Sequence, residues 1–172
     1  MDQGSTIVVG VDGSSASIPA LDFAYQDAVR RGARLRVIAA VELLDYWGGW
    51  RGTAAAYTGR MPPIAPDLVA EARAEVQALV NQTTDGAPPA RPPVPIEIDV
   101  TTGRPARVLL NAAQDADLLV LGHCGRGTLA SALLGSVGLQ CVLHAPCPVT
   151  IVRTRPTGLR SAPAAPAHVT TR

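Results

Sequence analysis

The sequence predicts an α/β fold in which helices cover both faces of a parallel sheet. Two observations predict it. Short apolar runs such as Ile7–Val11 and Leu118–Leu121 have the composition of strands buried on both faces. Between such runs lie stretches with apolar residues at helical spacing, so that strand and helix alternate along the chain. This alternation is typical of a doubly wound parallel sheet, which binds ligands beyond the carboxyl ends of its strands.

Residues typical of turns and helix ends mark where each predicted strand and helix begins or ends. Asp12–Ser15 supplies turn and cap residues after the first strand, Gly32 ends the first helix, and Pro105 suits a first helical turn. The predicted elements are a strand at Ile7–Val11, a helix at Ser17–Arg31, a strand at Arg34–Val41, a helix at Asp67–Thr83, a strand at Pro95–Val100, a helix at Ala106–Gln114, a strand at Leu118–Leu121, a helix that begins after Gly135 and ends near His144, and a strand at Pro148–Val152.

Length and composition predict one domain. The chain has 172 residues, and 47% of them are hydrophobic, which is enough for a sizeable core. We expect the domain to occupy residues 1–153, followed by a disordered Pro- and Ala-rich tail at 154–172. Within the domain, Glu42–Pro66 is a long irregular insert that holds Trp47 and Trp50. The strand at Pro95–Val100 alternates polar and apolar residues, which places it near the sheet edge.

Charge and cysteine content exclude several classes of protein. All fifteen basic residues are Arg, so lysine-dependent phosphate loops and Schiff-base enzymes are excluded. A net charge of +1 argues against binding to nucleic acid. No apolar run is long enough to span a membrane, and the polar start of the chain lacks the features of a signal peptide. Three unevenly spaced cysteines do not suggest a disulfide framework, and we therefore expect a cytoplasmic protein.

The segment Leu118–Val137 carries the strongest functional signal. A buried strand runs directly into Gly122 and Gly125, and nine residues later Gly135 and Ser136 precede a helix. Glycines allow the backbone to approach a ligand closely, and the free N–H groups at a helix N-terminus favour anions. Glycines at both ends of one loop therefore predict a cradle for a phosphate chain. Asp12 also follows a strand, so that it should reach the same edge of the sheet.

These motifs resemble those of the universal stress protein family over roughly residues 6–153. The loop matches the family pattern G-x-x-G-x9-G-(S/T), and Val9–Ser14 and His144–Val149 match its opening and closing motifs. The resemblance implies a Rossmann-like, three-layer fold with a five-stranded parallel sheet in the order 3-2-1-4-5. It also implies a homodimer formed through the last strand, Val149–Val152, and an adenine nucleotide as ligand.

The resemblance assigns roles to particular residues. ATP is the expected ligand, with AMP or cyclic AMP as alternatives and Mg²⁺ as a companion of the phosphates. Asp12 and Gly13 should lie beside the ribose or adenine, and Ala40 should offer its backbone to adenine. The ribose and phosphates should contact the remaining site residues, Gly122, Gly125, Arg126, Gly127, Gly135, Ser136 and Val137. One departure stands at Gly138, where the family often has Ser or Thr, so that one hydroxyl for phosphate binding is lost.

Several of these residues also have a purely structural interpretation. Asp12 can serve as a turn residue that binds its own backbone, although we favour contact with ribose or with Mg²⁺. Ser136 can be the N-cap of its helix, a role compatible with phosphate contact. Arg126 can be a solvated surface residue or a phosphate ligand. The even spacing of Cys141, His144 and Cys147 suggests a zinc site only weakly, and a buried cysteine is the preferred interpretation.

Three functions remain open from the sequence. The first is a stress-response regulator in which bound ATP alters conformation or the choice of partner, with at most slow hydrolysis or autophosphorylation. The second is a dimeric interaction module whose nucleotide loop is vestigial. The third is an enzyme or phosphoacceptor that uses Asp12, but no lysine or cluster of acids supports that chemistry. A dinucleotide dehydrogenase is excluded because Val11–Ser15 does not carry G-x-G-x-x-G.

Overall fold

The computed structural model describes residues 4–42, 65–87, 93–123, 125 and 134–153. Among these residues strands and helices alternate, as the apolar patterns predict. The elements are β1 (Thr6–Gly10), α1 (Ser17–Arg31), β2 (Arg34–Val41), α2 (Ala65–Asp85), β3 (Ile96–Thr102), α3 (Pro105–Ala112, continued by a 3₁₀ turn at Ala113–Asp115), β4 (Leu118–Gly122), α4 (Ser136–His144) and β5 (Val149–Val152).

The five strands form one parallel sheet in the order β3-β2-β1-β4-β5. The expected order 3-2-1-4-5 is therefore confirmed. β1 lies at the centre, where Val9 pairs with Val37 of β2 on one side and with Val120 of β4 on the other. The direction of winding reverses between β1 and β4, and the helices that follow these two strands lie on opposite faces of the sheet. Such a switch point opens a crevice at the carboxyl edge.

Two apolar layers hold the helices to the sheet. α1 and α2 cover one face, over a cluster that includes Ile7, Val9 and Val37. α3 and α4 cover the other face, over a cluster that includes Val8 and Leu119. All five side chains are fully buried, which explains why the strand sequences are continuous apolar runs and do not alternate. Each such burial stabilises the fold by roughly 1.5–3 kcal/mol.

The edge strand β3 is different. Ile96, Ile98 and Val100 pack towards α1 and α2, whereas Glu97 and Asp99 are exposed on the opposite face. The alternating sequence thus marks the edge strand, as predicted. On that opposite face α3 packs against β2 and α4, and it leaves β3 without a helix of its own among the described elements.

Most predicted boundaries agree with the structure within one or two residues. α1 and β2 have the predicted bounds, and Gly32 ends α1 in a left-handed conformation with φ of 62°. Pro105 is the first residue of α3, as expected. The first strand ends at Gly10, one residue earlier than predicted, and α2 extends two residues further at each end. The tryptophans, most of the insert and the tail lie outside the described residues.

Candidate functional site

Asp12 and the turn after β1 form one wall of the site. Gly13 adopts φ of 74°, a left-handed conformation that glycine accepts without a steric penalty. The Oδ1 atom of Asp12 accepts hydrogen bonds from the Ser14 N–H at 3.0 Å and from the Ser17 hydroxyl at 2.8 Å. The Asp12 N–H in turn donates to Ser17 Oγ at 3.0 Å. Asp12 therefore does bind its own turn, and this turn fixes the orientation of its carboxylate.

Gly125 stands against the same carboxylate. A methyl group built on Gly125 would come within 2.7 Å of Asp12 Oδ2, closer than real carbon–oxygen contacts allow. Gly125, after β4, therefore lies against the turn after β1, and a side chain at this position would have to displace the Asp12 carboxylate. This contact brings together two residues that the sequence assigned to one site although they are more than one hundred positions apart.

Gly122 is also required by a close backbone approach. A methyl group at this position would lie 2.8 Å from the carbonyl oxygen of Ala16 and 2.9 Å from its Cβ atom. Ala16 immediately precedes α1, so the end of β4 packs directly against the start of that helix. The glycine therefore has a structural role that is independent of any ligand, alongside the role that the sequence predicts.

The other end of the loop is closed by hydrogen bonds. The Gly135 N–H donates to the His123 carbonyl at 3.1 Å, and the His123 N–H donates to the Val152 carbonyl at 3.0 Å. Gly135 is the N-cap of α4, with no side-chain capping bond. The suggestion that Ser136 is the N-cap is therefore wrong, since Ser136 is already the first helical residue and its side chain is exposed.

The start of α4 presents donors to the crevice edge. The first bond within the helix runs from the Leu139 N–H to the Gly135 carbonyl at 2.9 Å. The N–H groups of Ser136, Val137 and Gly138 precede that bond, and helical geometry gives them no acceptor within the helix. Their partial positive charge favours an anion such as phosphate. The predicted role of Ser136 and Val137 is compatible with this position.

Ala40 lies near the end of the neighbouring strand β2. Gly10 of β1 pairs with Ile38 of β2, and the Val11 N–H donates to the Ile38 carbonyl at 2.9 Å. Asp12 and Ala40 both follow two residues later, so that they occupy corresponding positions at the carboxyl edge. Arg126 and Gly127, which the sequence also assigned to the site, lie outside the described residues.

Two buried polar atoms lie at this edge without a hydrogen-bond partner among the described residues. They are the hydroxyl oxygen of Ser14 and Nδ1 of His123. Ser14 is in the turn after β1, and His123 directly follows β4. Because buried polar atoms are normally hydrogen-bonded, both are exceptions among the described residues. The glycines of the loop and the N-terminus of α4 suit phosphate groups. The Asp12 carboxylate suits hydroxyl groups. Together they fit a phosphorylated ligand that carries hydroxyl groups.

Sequence reasoning missed three residues that shape the site. Ser17 is 3% exposed and holds Asp12, and Ala16 packs on Gly122. Leu134 lies next to Gly138, where an added methyl group would come within 2.8 Å of its Cδ1 atom. The only sequence signal for Ser17 was its place at the start of a predicted helix. Neither Ala16 nor Leu134 carried any signal, because their contacts join segments distant in sequence or depend on the bend of the loop.

The cysteines at the other end of α4 behave as core residues. Burial raises the pKa of the Cys141 thiol to about 11, and burial also raises the pKa of Cys147. Cys141 packs against Leu119 and its neighbours. Within the part of the chain that the structure describes, no three or more His, Cys, Asp or Glu side chains are grouped so as to hold a metal ion.

Comparison with known proteins identifies the family. The sequence profile of the Universal stress protein family matches residues 5–153. The chain belongs to this family. A universal stress protein of Thermus aquaticus is 33% identical over 150 residues, which are 86% of this chain and 98% of the relative. A universal stress protein of Mycobacterium tuberculosis H37Rv is 32% identical over 166 residues, which are 94% of this chain and 50% of the relative.

This universal stress protein also resembles members of the family with solved structures. A universal stress protein crystallised in complex with cAMP is 28% identical, with a TM-score of 0.59, and the match covers 90% of this chain and 100% of that one. The chain spans about half the length of the mycobacterial relatives, between 47% and 50%. Among the described residues, no helix is both long and apolar enough to cross a membrane.

Proposed function

We propose that this universal stress protein binds an adenine nucleotide at the carboxyl edge of β1 and β4. The observation that carries the proposal is the approach of Gly125 to the Asp12 carboxylate, at 2.7 Å for an added methyl group. It unites the turn after β1 with the glycine loop after β4. A structural relative in complex with cAMP supports an adenine nucleotide as the class of ligand.

Each wall of the site suits a different part of the nucleotide. The N–H groups of Ser136, Val137 and Gly138 suit the phosphates, because they point from a helix N-terminus and have no acceptor within the helix. The glycines at 122, 125 and 135 allow the phosphate chain to approach the backbone. Arg126 and Gly127, next in the loop, are proposed to flank the phosphates.

Asp12 suits the sugar. Its carboxylate would repel phosphate unless a cation or a hydroxyl group stood between them, and ribose offers two hydroxyl donors. Direct ribose contact, or contact through Mg²⁺ held with the phosphates, is therefore its proposed role. Gly13 lies beside it, and the backbone of Ala40 is at the matching position of β2, where it would meet the adenine.

ATP is the nucleotide that we propose, with AMP and cyclic AMP as the alternatives. The G-x-x-G-x9-G-S loop is long enough to surround more than one phosphate, which favours ATP. Against ATP stands Gly138, because the family often has Ser or Thr at this position and the hydroxyl group for phosphate binding is missing here. The three donors of α4 are retained, so the departure is expected to lower affinity without removing the phosphate site.

The proposed role is regulation of a stress response in the cytoplasm, through nucleotide-dependent conformation or partner binding. The described part of the site offers hydrogen-bond donors, one carboxylate and glycines, and the lysine-free sequence offers no phosphate-activating lysine. Such a set suits holding a nucleotide better than rapid turnover. Slow hydrolysis or autophosphorylation is the enzymatic alternative.

The second candidate is a dimeric interaction module, and one observation favours a dimer. β5 is an edge strand of the sheet, and the adjacent α4 exposes Leu139, Val142 and Leu143 by 49%, 48% and 65%. An apolar helix next to an open strand suits a symmetric contact with a second copy. The mycobacterial relatives, about twice as long, are long enough to contain two such units in one chain.

Calorimetric titration tests the proposal. ATP, ADP, AMP and cyclic AMP are each titrated into the full chain with and without Mg²⁺, and phosphate release is followed in parallel. We expect saturable binding of at least one adenine nucleotide and little turnover. No binding at millimolar ligand would contradict nucleotide binding and leave the interaction module, whereas many turnovers per minute would contradict a regulatory role.

A further inference from the structure

A second concave surface lies away from the glycine loop. It is a cavity of about 600 Å³ between the uncovered face of β3, the neighbouring part of β2 and helix α3. β3 stands three strands from β4 in the sheet, which is about 14 Å at the usual spacing between strands. The cavity is therefore separate from the glycine loop, although its residue Thr101 pairs with Ala40, the expected adenine contact on β2. Its size is within the range of small-molecule sites.

Three arginines line this cavity, and we call it the arginine groove. They are Arg36 of β2, Arg104 immediately before α3, and Arg107 in the first turn of α3. Among the described residues, Asp99 of β3 is the one acidic side chain that lines it. The groove thus carries a formal excess of positive charge in a protein whose net charge is only +1. Three elements contribute these residues, so the sequence pattern could not reveal them.

The guanidinium groups of the groove are only loosely engaged by the protein. Arg36 Nε lies 3.8 Å from Glu97, and its Nη1 donates to the Ala112 carbonyl at 3.4 Å; both contacts are long. Within the described part of the chain, no hydrogen bond or ion pair engages the side chains of Arg104 and Arg107. Most of the donors of these planar groups thus remain available for a ligand.

The remaining surface of the groove indicates what else the ligand carries. Val108 is half-buried and offers a ligand a small apolar contact, whereas Ile38 beneath it is 1% exposed and offers almost none. Thr101 and Asn111 add neutral polar groups at the walls of the groove. The surface that a ligand would meet is therefore mainly polar and cationic.

We infer that the arginine groove binds a small phosphorylated molecule. Arginine binds phosphate in a bidentate manner, and a phosphate monoester carries close to two negative charges near neutral pH. These two charges suit Arg104 and Arg107, whereas Arg36 already lies 3.8 Å from Glu97. Asp99 would accept a hydrogen bond from a hydroxyl or amino group of the ligand.

Phenyl phosphate is a suitable probe because it combines a phosphate with an aromatic ring and contains no adenine. It is titrated into the full, ¹⁵N-labelled chain at low ionic strength above pH 7, and amide shifts are recorded. We expect saturable shifts at Gly103, Arg104 and Arg107. Arg107→Gln should weaken binding about tenfold, and Arg104→Gln/Arg107→Gln should abolish it.

Matched variants separate recognition from bulk charge. Arg30→Gln removes one charge from α1, where Arg31 still pairs with Asp27 at 2.8 Å, and should bind the probe as the wild type does. Arg107→Lys keeps the charge but loses the bidentate fork, and should be intermediate. The inference is overturned if the wild type shows no saturable shift, if the shifts lie only at residues 122–138, or if Arg30→Gln weakens binding as much as Arg107→Gln.

Discussion

Asp12 Oδ2 occupies the space that a side chain at Gly125 would need, with only 2.7 Å between the oxygen and an added methyl carbon. Ser17 fixes the other oxygen of the same carboxylate at 2.8 Å. The carboxylate is thus oriented by α1 on one side and bounded by the loop after β4 on the other. We attribute the proposed nucleotide site to this convergence.

Asp12→Asn should reduce nucleotide affinity by about tenfold, because the charged acceptor for ribose or Mg²⁺ is removed. The amide oxygen can still accept from Ser14 and Ser17, so the free energy of unfolding should change little. Ser17→Ala should do the reverse and cost about 1–3 kcal/mol of stability, since it removes the Ser17 acceptor of the Asp12 N–H and one donor to Oδ1, which keeps the Ser14 N–H. Calorimetric titration measures the nucleotide affinity, and urea unfolding measures the free energy of unfolding. Equal nucleotide affinity for wild type and Asp12→Asn would contradict the role of Asp12.

Leu134 restricts the space beside Gly138: its Cδ1 atom would lie 2.8 Å from a Cβ atom added to the glycine. Gly138→Ser alone should therefore not restore phosphate binding, because the new side chain must displace Leu134 next to the N-cap of α4. Gly138→Ser combined with Leu134→Ala should raise ATP affinity about two- to tenfold, the effect of one hydrogen bond. Leu134→Ala is the control. An equal gain from Gly138→Ser alone would show that Leu134 is not the obstacle.

Asp27 makes stability depend on pH in the acid range. Burial alone would raise its pKa, but hydrogen bonds and charges from Arg30 and Arg31 bring the pKa of this carboxyl below its ordinary value of 3.8. A lowered pKa in the folded state stabilises the protein above the ordinary value, and this contribution is lost as the pH falls through the folded-state pKa. Asp27→Asn should lose roughly 1–2 kcal/mol at neutral pH.

Urea unfolding across the acid range checks this prediction. The free energies of unfolding of wild type and Asp27→Asn should converge as the pH falls below about 4, because the carboxyl is then increasingly protonated in the unfolded chain. Asp117, whose pKa is lowered by hydrogen bonds from the Thr6 N–H and the Ser5 hydroxyl, remains in both proteins and cancels in the difference. A constant gap between the two proteins down to low pH would refute the assignment.

Dimerisation through β5 predicts that the apolar face of α4 matters for assembly. We expect the full chain to sediment as a dimer. Val142→Asp and Leu143→Asp should shift it towards monomer, because a charge would be buried in the contact. Ile18→Asp on α1 is a matched control, since Ile18 and Val142 are both 48% exposed. A monomeric wild type, or an equal effect of Ile18→Asp, would count against this interface.

The elements were predictable from the sequence because burial determines them. Val8 and Leu119 are inaccessible to solvent, and only continuous apolar runs satisfy strands covered on both faces. The carboxyl-edge position of Asp12 and Gly122 followed from the strand ends alone. The strand order itself required the family resemblance, since apolar patterns do not specify which strands are neighbours.

The details of the site were not predictable because they depend on contacts between distant segments. Ser17 reaches Asp12 only because the turn at Gly13 reverses the chain, and Ser136 lost its expected capping role because Gly135 already ends the loop. The arginine groove was missed for the same reason. Arg36 and Arg107 are seventy-one positions apart and meet only when α3 packs on β2.

Gly125→Ala is the most direct test of the central claim, that Asp12 and the glycine loop form one nucleotide site. Gly125 is not among the described glycines with positive φ, so alanine introduces no backbone strain there, and its methyl group would displace Asp12 Oδ2. Gly4→Ala, with open space around the new methyl group, is the control. Calorimetric titration with ATP and cyclic AMP should show at least a roughly tenfold loss of affinity for Gly125→Ala, with unfolding free energy within about 0.5 kcal/mol of the control. Equal nucleotide affinity in the two variants would contradict the account.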